Sequence, residues 1–244
     1  MRHQVFSLTK RGNAEKEYED AFAGDSAKGR FAIADGATES SFARPWARML
    51  VREFVAHSGG ESLPWATWLP PLRQRWLTEV GGRSLPWYAE MKLEQGAFAT
   101  FLGVVFETDA PERGRWSAVA IGDSCLFQVR KDGCLAFPVT RSQDFGNFPW
   151  LIGSREATGE TESEKESRTA GNWQAGDRFY LMTDALAQWY LWQQELGQEP
   201  WDAVERVLAR PDAKDGFAEW IDELRHAGGL RNDDVTLAAI TLEK

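Results

Sequence analysis

Soft metal ligands are scarce in this chain, which has two cysteines and three histidines in 244 residues. His3, His57 and His226 are far apart, and neither a C-x-x-C pair nor a Cys/His cluster occurs, so a zinc site has little support. Cys125 and Cys134 flank a Lys131-Asp132-Gly133 turn signal. A two-residue hairpin turn at Asp132-Gly133 would set Cys134 opposite Lys131 rather than Cys125, and both thiols are expected to be free. Basic charge is also in deficit: 28 Lys and Arg against 37 Asp and Glu leave a formal net charge of -9. No clustered Lys/Arg footprint for a phosphate backbone is visible, which argues against a nucleic-acid partner. Residues 1–12 hold no apolar core of signal-peptide length, and nothing approaches the roughly 20 apolar residues of a membrane helix. A soluble, cytoplasmic protein with no membrane partner is expected. Absent too are G-x-x-x-x-G-K-[ST] and G-x-G-x-x-G phosphate loops and a G-x-S-x-G elbow, so nucleotide-dependent enzymes and serine hydrolases fit poorly.

What is present is ordinary globular composition, at a length that one core can still support, so a single domain over 1–244 is expected. Oligomeric state is unreadable and a monomer is the default. Trp65, Trp68, Trp76 and Trp87 fall in one stretch and read as core rather than as an aromatic groove. Residues 31–34, Phe-Ala-Ile-Ala, form a short apolar strand ending at Asp35-Gly36. A helix then runs from a cap at Ser40 or Ser41 to about His57, with Trp46, Met49, Leu50, Phe54 and Val55 at helical spacing. Two helices are predicted within 65–96, interrupted at Pro70-Pro71 and Gly81-Gly82. From Phe98 the runs 98–106, 116–121, 125–130 and 134–139 predict an antiparallel meander. Residues 153–172 carry almost nothing apolar and are expected to be an exposed, mobile excursion, a flap. A strand at 178–182 precedes helices at about 185–195, 200–209 and 215–227, and a final strand spans 235–242.

Four acids share one local design, an apolar run with Asp at its edge: Asp35-Gly36, Asp123-Ser124, Asp184-Ala185 and Asp233-Asp234. One such Asp reads as a turn or a cap. Four together read as carboxylates gathered round hard divalent cations, because converging acids repel one another unless a cation neutralises them. The chemistry such a site supports is metal-assisted hydrolysis.

Taken in order, Glu19-Asp20-Ala21-Phe22, Ala34-Asp35-Gly36, Gly122-Asp123-Ser124, Thr183-Asp184-Ala185 and Asp233-Asp234-Val235-Thr236 resemble the motifs of the bacterial metal-dependent phosphatases of the protein phosphatase 2C family. The resemblance spans about residues 10 to 242. It implies an α+β fold, a four-layer α-β-β-α sandwich of two antiparallel sheets flanked by helices, with a metal centre at one end. It implies hydrolysis of phosphoserine or phosphothreonine in a protein substrate, a Ser/Thr kinase among the candidate partners, by a water bridging two Mn²⁺ or Mg²⁺ ions. Carried over by position, Asp35 bridges the ions and the Gly36 carbonyl ligates one. Asp184 and Asp233 hold the other, Glu19 or Asp20 completes the first shell, and Asp123 serves a third, weaker site; catalysis acts through Asp20, Asp35, Asp184 and Asp233. The chain departs from the family pattern in three places. Residues 35–40 lack the usual histidine after Asp-Gly, Ala185 replaces a glycine, and Glu15, Lys16 and Glu17 stand where a phosphate-gripping arginine is expected. Lys16 and Arg11 are the candidate substitutes. The competing reading is a catalytically weak or inactive phosphatase-like module that binds a phosphorylated partner. It leaves the retained, mutually repelling acids without a reason.

Overall fold

The computed structural model describes all residues except 38–41, 58–63, 82–94, 132, 147–148, 157–160 and 243–244. Twelve strands appear among them. The first sheet runs in the order β1-β12-β11-β7-β8, built from β1 (Arg2–Leu8), β12 (Val235–Thr241), β11 (Arg178–Met182), β7 (Cys125–Arg130) and β8 (Gly133–Phe137). The second runs β10-β6-β5-β3-β2, from β10 (Ser167–Gln174), β6 (Arg113–Ile121), β5 (Phe101–Ala110), β3 (Arg30–Ala34) and β2 (Ala21–Asp25). A short pair, β4 (Phe98–Ala99) with β9 (Ile152–Gly153), completes the strands, and every pairing is antiparallel.

The central strands are buried on both faces, which is why they read as continuous apolar runs rather than as alternation. In β3, Phe31 and Ile33 point between the sheets, where they meet Leu102, Val104, Phe179, Leu181, Ala238 and Ile240. Ala32 and Ala34 of the same strand face α1 (Ala43–Ala56) and α2 (Trp65–Gly81), and their small side chains leave room for Trp46, Leu50 and Phe54. On the far side, Phe127, Tyr180, Met182 and Leu237 pack against α4 (Asp184–Glu195), α5 (Pro200–Leu208) and α6 (Ala213–His226). Three apolar layers thus separate four layers of secondary structure, the architecture that the motifs implied.

Register brings the ends of these strands together. In the first sheet Leu8 faces Val235, and Met182 faces both Leu237 and Cys125, so the end of β1, the start of β12, the end of β11 and the start of β7 share one edge. In the second, Ala21 faces Ala34 and Phe101 faces Ile121, which gathers the start of β2, the end of β3, the start of β5 and the end of β6. Residues 122–124 join β6 to β7 and tie the two edges into one end of the sandwich.

Several local expectations are corrected. Pro70 and Pro71 lie inside α2, whose buried Trp65, Trp68, Leu69, Leu72 and Trp76 hold the helix together despite two missing amide donors; the second helix expected before residue 96 falls largely on 82–94, outside the described residues, as does Trp87. The hairpin after β7 pairs Arg130 with Gly133 and Val129 with Cys134, so its turn is one residue earlier than Asp132-Gly133. Cys125 and Cys134 are both free. The segment 153–172 is not wholly an excursion. Residues 162–165 form a short helix, α3 (Glu162–Lys165), with a capping box at Thr161, and 167–174 pair with β6 as an edge strand, where one-sided exposure explains the polar composition. Three strands, β1, β2 and β9, also went unrecognised in the sequence.

Trp46 shows how tightly the helical layer is bound to the sheet: its ring is fully buried and its indole donates to the Ile152 carbonyl at 2.9 Å. Trp46→Ala is expected to lower unfolding free energy by about 3–5 kcal/mol, read from the urea midpoint at constant slope, while Trp46→Phe should recover most of the packing and lose only the hydrogen bond.

Candidate active site

Each acid stands one or two residues beyond the strand edge that carries it. Asp20 precedes β2, Asp35 follows β3, Asp123 follows β6, Asp184 opens α4 just past β11, and Asp233 comes before β12. All five therefore reach the same end of the sandwich, and their mutual fields confirm the proximity. Burial is the first cause raising the Asp35 carboxyl well above its ordinary range, followed by the charges of Asp20 and Asp184, with Asp233 a smaller contributor. Asp20 is pushed up to about 7 by burial, with Asp234 and Asp184 adding repulsion. Burial also lifts Asp123 to about 7, with Asp184 next in importance.

Backbone and hydroxyl groups fix these carboxylates. The Asp35 amide donates to Thr100 Oγ1 at 3.1 Å, the Thr100 amide donates to the Asp35 carbonyl at 2.8 Å, and Thr100 and Ser124 hydroxyls lie 2.8 Å apart. Asp20 Oδ2 accepts from Thr236 Oγ1 at 2.7 Å and from Thr183 Oγ1 at 3.1 Å, and Thr183 Oγ1 in turn accepts from the Thr236 amide at 2.9 Å. The Tyr18 hydroxyl bonds Thr236. Asp20 Oδ1 is buried with no hydrogen-bond partner, and a buried oxygen left in that state is costly unless a cation meets it.

Gly36 needs to be glycine. A Cβ there would lie 2.9 Å from the Glu19 carbonyl oxygen and 2.9 Å from the Ala43 methyl, so the backbone after β3 packs directly on the Glu19-Asp20 segment. The Glu19 amide donates to Asp234 Oδ2 at 2.7 Å and the Lys10 amide to Asp234 Oδ1 at 2.8 Å. Asp234 is thus an organiser of the N-terminal chain, whereas Asp233 Oδ1 accepts from the Asp234 amide at 2.9 Å.

Asp184 is the acid with a cationic partner. Its Oδ2 pairs with the Arg231 guanidinium, and its Oδ1 accepts from the Ala185 amide at 2.5 Å. Burial still raises its carboxyl; Arg231 pulls it back down and Asp233 pushes it up. Among the described residues no group of three or more His, Cys, Asp or Glu side chains stands arranged to hold a metal ion; Arg231 is the cation that pairs with the cluster in this arrangement. The donor set, all oxygen and anionic with an orphaned buried atom, fits a hard divalent cation.

The structure does not bring the two candidate phosphate ligands to the acids in the same way. The Arg11 guanidinium is engaged by Asp222, at 3.0 Å, and by His226 on α6. Lys16 sits on an exposed turn, and its carbonyl accepts from Arg44 Nη1 at 3.1 Å. Sequence reasoning missed Tyr18, Thr100, Thr183, Thr236 and Arg231. Thr183 and Thr236 sit inside the quoted motifs, and their place beside Asp184 and Asp233 is the signal that could have found them.

The chain belongs to the protein phosphatase 2C family, whose model matches residues 12–225. Among solved structures it is similar to the Mycobacterium tuberculosis serine/threonine phosphatase PstP, with TM-score 0.61 and 16% identity over 100% of this chain and 99% of that one. The catalytic domain of PstP in complex with two manganese ions gives 0.61 and 17% over 100% and 98%. PppA, a key regulatory component of the type VI secretion system in Pseudomonas aeruginosa, gives 0.60 and 19% over 99% and 97%. At these identities the likeness concerns the fold. No curated protein sequence matches, and no helix among the described residues is long and apolar enough to cross a membrane.

The raised carboxyls have a thermodynamic consequence with a definite sign. A group with unfolded value 3.8 and folded value about 7, as at Asp20, binds its proton more tightly in the native state. Its contribution is favourable at low pH and is lost as pH rises through the interval between those values. Protein stripped of divalent ions should therefore lose stability between about pH 4 and 7, and Asp20→Asn should flatten that slope, both read as midpoints of urea unfolding across a pH series.

Proposed function

We propose that the chain is a metal-dependent phosphatase acting on phosphoserine and phosphothreonine in proteins, a single cytoplasmic domain working as a monomer. The observation that carries this reading is the convergence of five buried or half-buried carboxylates at one end of the sandwich, with Asp20 Oδ1 left without a partner. The manganese-bound PstP supports two ions. In this reading Asp35 would help to hold both Mn²⁺ or Mg²⁺ ions, the Gly36 carbonyl with Asp20 or Glu19 would hold one of them, Asp184 and Asp233 would hold the other, and Asp123 would serve a weaker third. Bound there, the ions supply charge for the phosphoryl oxygens and lower the pKa of water.

The protein's own part is positioning and proton release. Thr183 and Thr236 hold the Asp20 carboxylate and Thr100 holds the Asp35 backbone in place, as outer-shell partners do in metal sites generally. Burial raises the Asp20, Asp35 and Asp184 carboxyls, so cations held by them would compete with protons and bind more tightly as pH rises. Arg231, beside Asp184, would offer a planar two-pronged donor to the substrate phosphate, a role for which its fork is better suited than an ammonium. A phosphorylated protein, a Ser/Thr kinase among the candidates, is the partner in this reading. A non-catalytic reading has no comparable support, since nothing else explains the cost of the clustered acids.

Hydrolysis of p-nitrophenyl phosphate and a phosphothreonine peptide, measured with Mn²⁺, with Mg²⁺ and with EDTA, tests the reading. Turnover should need the cation and fall more than about a hundredfold in Asp35→Asn and in Asp233→Asn, beyond the loss seen when only a supporting partner is removed. Undiminished turnover in EDTA, or in both variants, would overturn it.

A further inference from the structure

Away from the acid cluster the outward face of α1 carries Arg44, Arg48 and Arg52, spaced i, i+4, i+8 and so stacked on one side of the helix. Among the described residues Arg48 and Arg52 make no hydrogen bond or ion pair, and Arg44 Nε is buried with no partner. The three guanidinium groups sense one another: beyond the effect of burial, Arg44 and Arg52 both push the Arg48 group down. Like charges at this spacing destabilise a helix by a few tenths of a kcal/mol per pair, and no acid on α1 relieves them, because Glu53 is paired with Arg75. An anion is the missing counterpart.

These arginines line a groove of about 600 Å³ together with Lys214 of α6. Its other walls are Val5 and Ser7 of β1 and Ala21 and Phe22 of β2. Both strands are the outermost members of their sheets, and they lie on the same flank because β2 contacts β12, the neighbour of β1. The groove therefore combines free strand edges, which bind extended backbone, with a row of cations that binds phosphate. Val5 is exposed and gives a bound chain an apolar contact. Only Glu15 and Asp20 bring negative charge to it, and Tyr18 and Thr236 close the end shared with the acid cluster.

We propose that this groove is a docking site for an extended, phosphorylated segment of a protein, its backbone along the β1 and β2 edges and its phosphate on Arg48 and Arg52. The proposal rests on the phosphatase reading for its source of phosphoproteins, while Arg48 and Arg52, which take the phosphate, are not among the groups assigned to the reacting site. Inorganic phosphate satisfies only the arginines, whereas a peptide also uses the strand edges, so the peptide is the fitting ligand.

The test is fluorescence anisotropy on the manganese-loaded full chain, using a labelled peptide with a non-hydrolysable phosphonate in place of phosphoserine, its unphosphorylated twin, and a single-stranded oligonucleotide. Arg48→Glu/Arg52→Glu should weaken the phosphonopeptide about tenfold or more, the ratio that 1.4 kcal/mol gives, and bring it level with the twin. Turnover of p-nitrophenyl phosphate and the melting temperature should be unchanged; if the reversal lowers the melt, Arg48→Gln/Arg52→Gln should show the same loss of binding in folded protein. Equal affinity in variant and parent, an oligonucleotide that binds more tightly than the phosphonopeptide, or a parallel loss of small-substrate turnover would each overturn the docking site. Selective phosphonopeptide binding in a parent chain that hydrolyses nothing would instead sustain the groove and sink the catalytic reading.

Discussion

Five carboxylates brought to one end of a sandwich repel one another, and burial removes the water that would screen them. Everything around them meets that repulsion. Burial and mutual repulsion raise the Asp20 and Asp35 carboxyls, Arg231 covers Asp184, and the Thr183 and Thr236 hydroxyls donate to Asp20. These devices are incomplete, because Asp20 Oδ1 is left over. The remaining demand is for positive charge that binds oxygen, which a divalent cation meets.

A cluster of this kind needs a rigid frame. The frame comes from antiparallel pairing on both sheets, since register fixes which strand ends are neighbours and a one-residue slip would turn every side chain to the opposite face. The joining residues 122–124 are tight for the same reason. Gly122 has φ +99, and a Cβ there would approach the Thr100 side chain at 2.7 Å, the threonine that holds Asp35. Close packing at Gly36 against the Glu19 carbonyl does the equivalent work on the other side. Both glycines lie beside acids because that is where separate strands must come nearest.

Much of this was legible in the sequence wherever burial was two-sided. The run 31–34, apolar throughout, and the run 178–182, apolar after Arg178, read as strands and are strands, and the acids at their ends were conspicuous against them. Edge strands were harder. β1 reads Arg-His-Gln-Val-Phe-Ser-Leu with only Phe6 buried, and β10 reads as a polar tract, because an edge strand covered on one side carries little apolar signal. Pro70-Pro71 misled for a different reason: local propensity favours a break, and the buried Trp65, Trp68 and Trp76 outweigh it only once the sheet they pack on is known. The acids could be listed from the sequence, but Arg231 could not be paired with Asp184, since 47 residues and a helical layer lie between them.

The distribution of charge carries the synthesis one step further. A chain of net charge -9 would be expected to repel a phosphoprotein, which is itself acidic. Total charge is a poor guide here because position decides: the acids at the cluster are partly protonated or paired, while Arg44, Arg48 and Arg52 stand together on α1 with the groove before them. Attraction for an anionic chain is then local to one flank, and the Tyr18, Asp20 and Thr236 side chains that wall it off also fix the acid cluster behind.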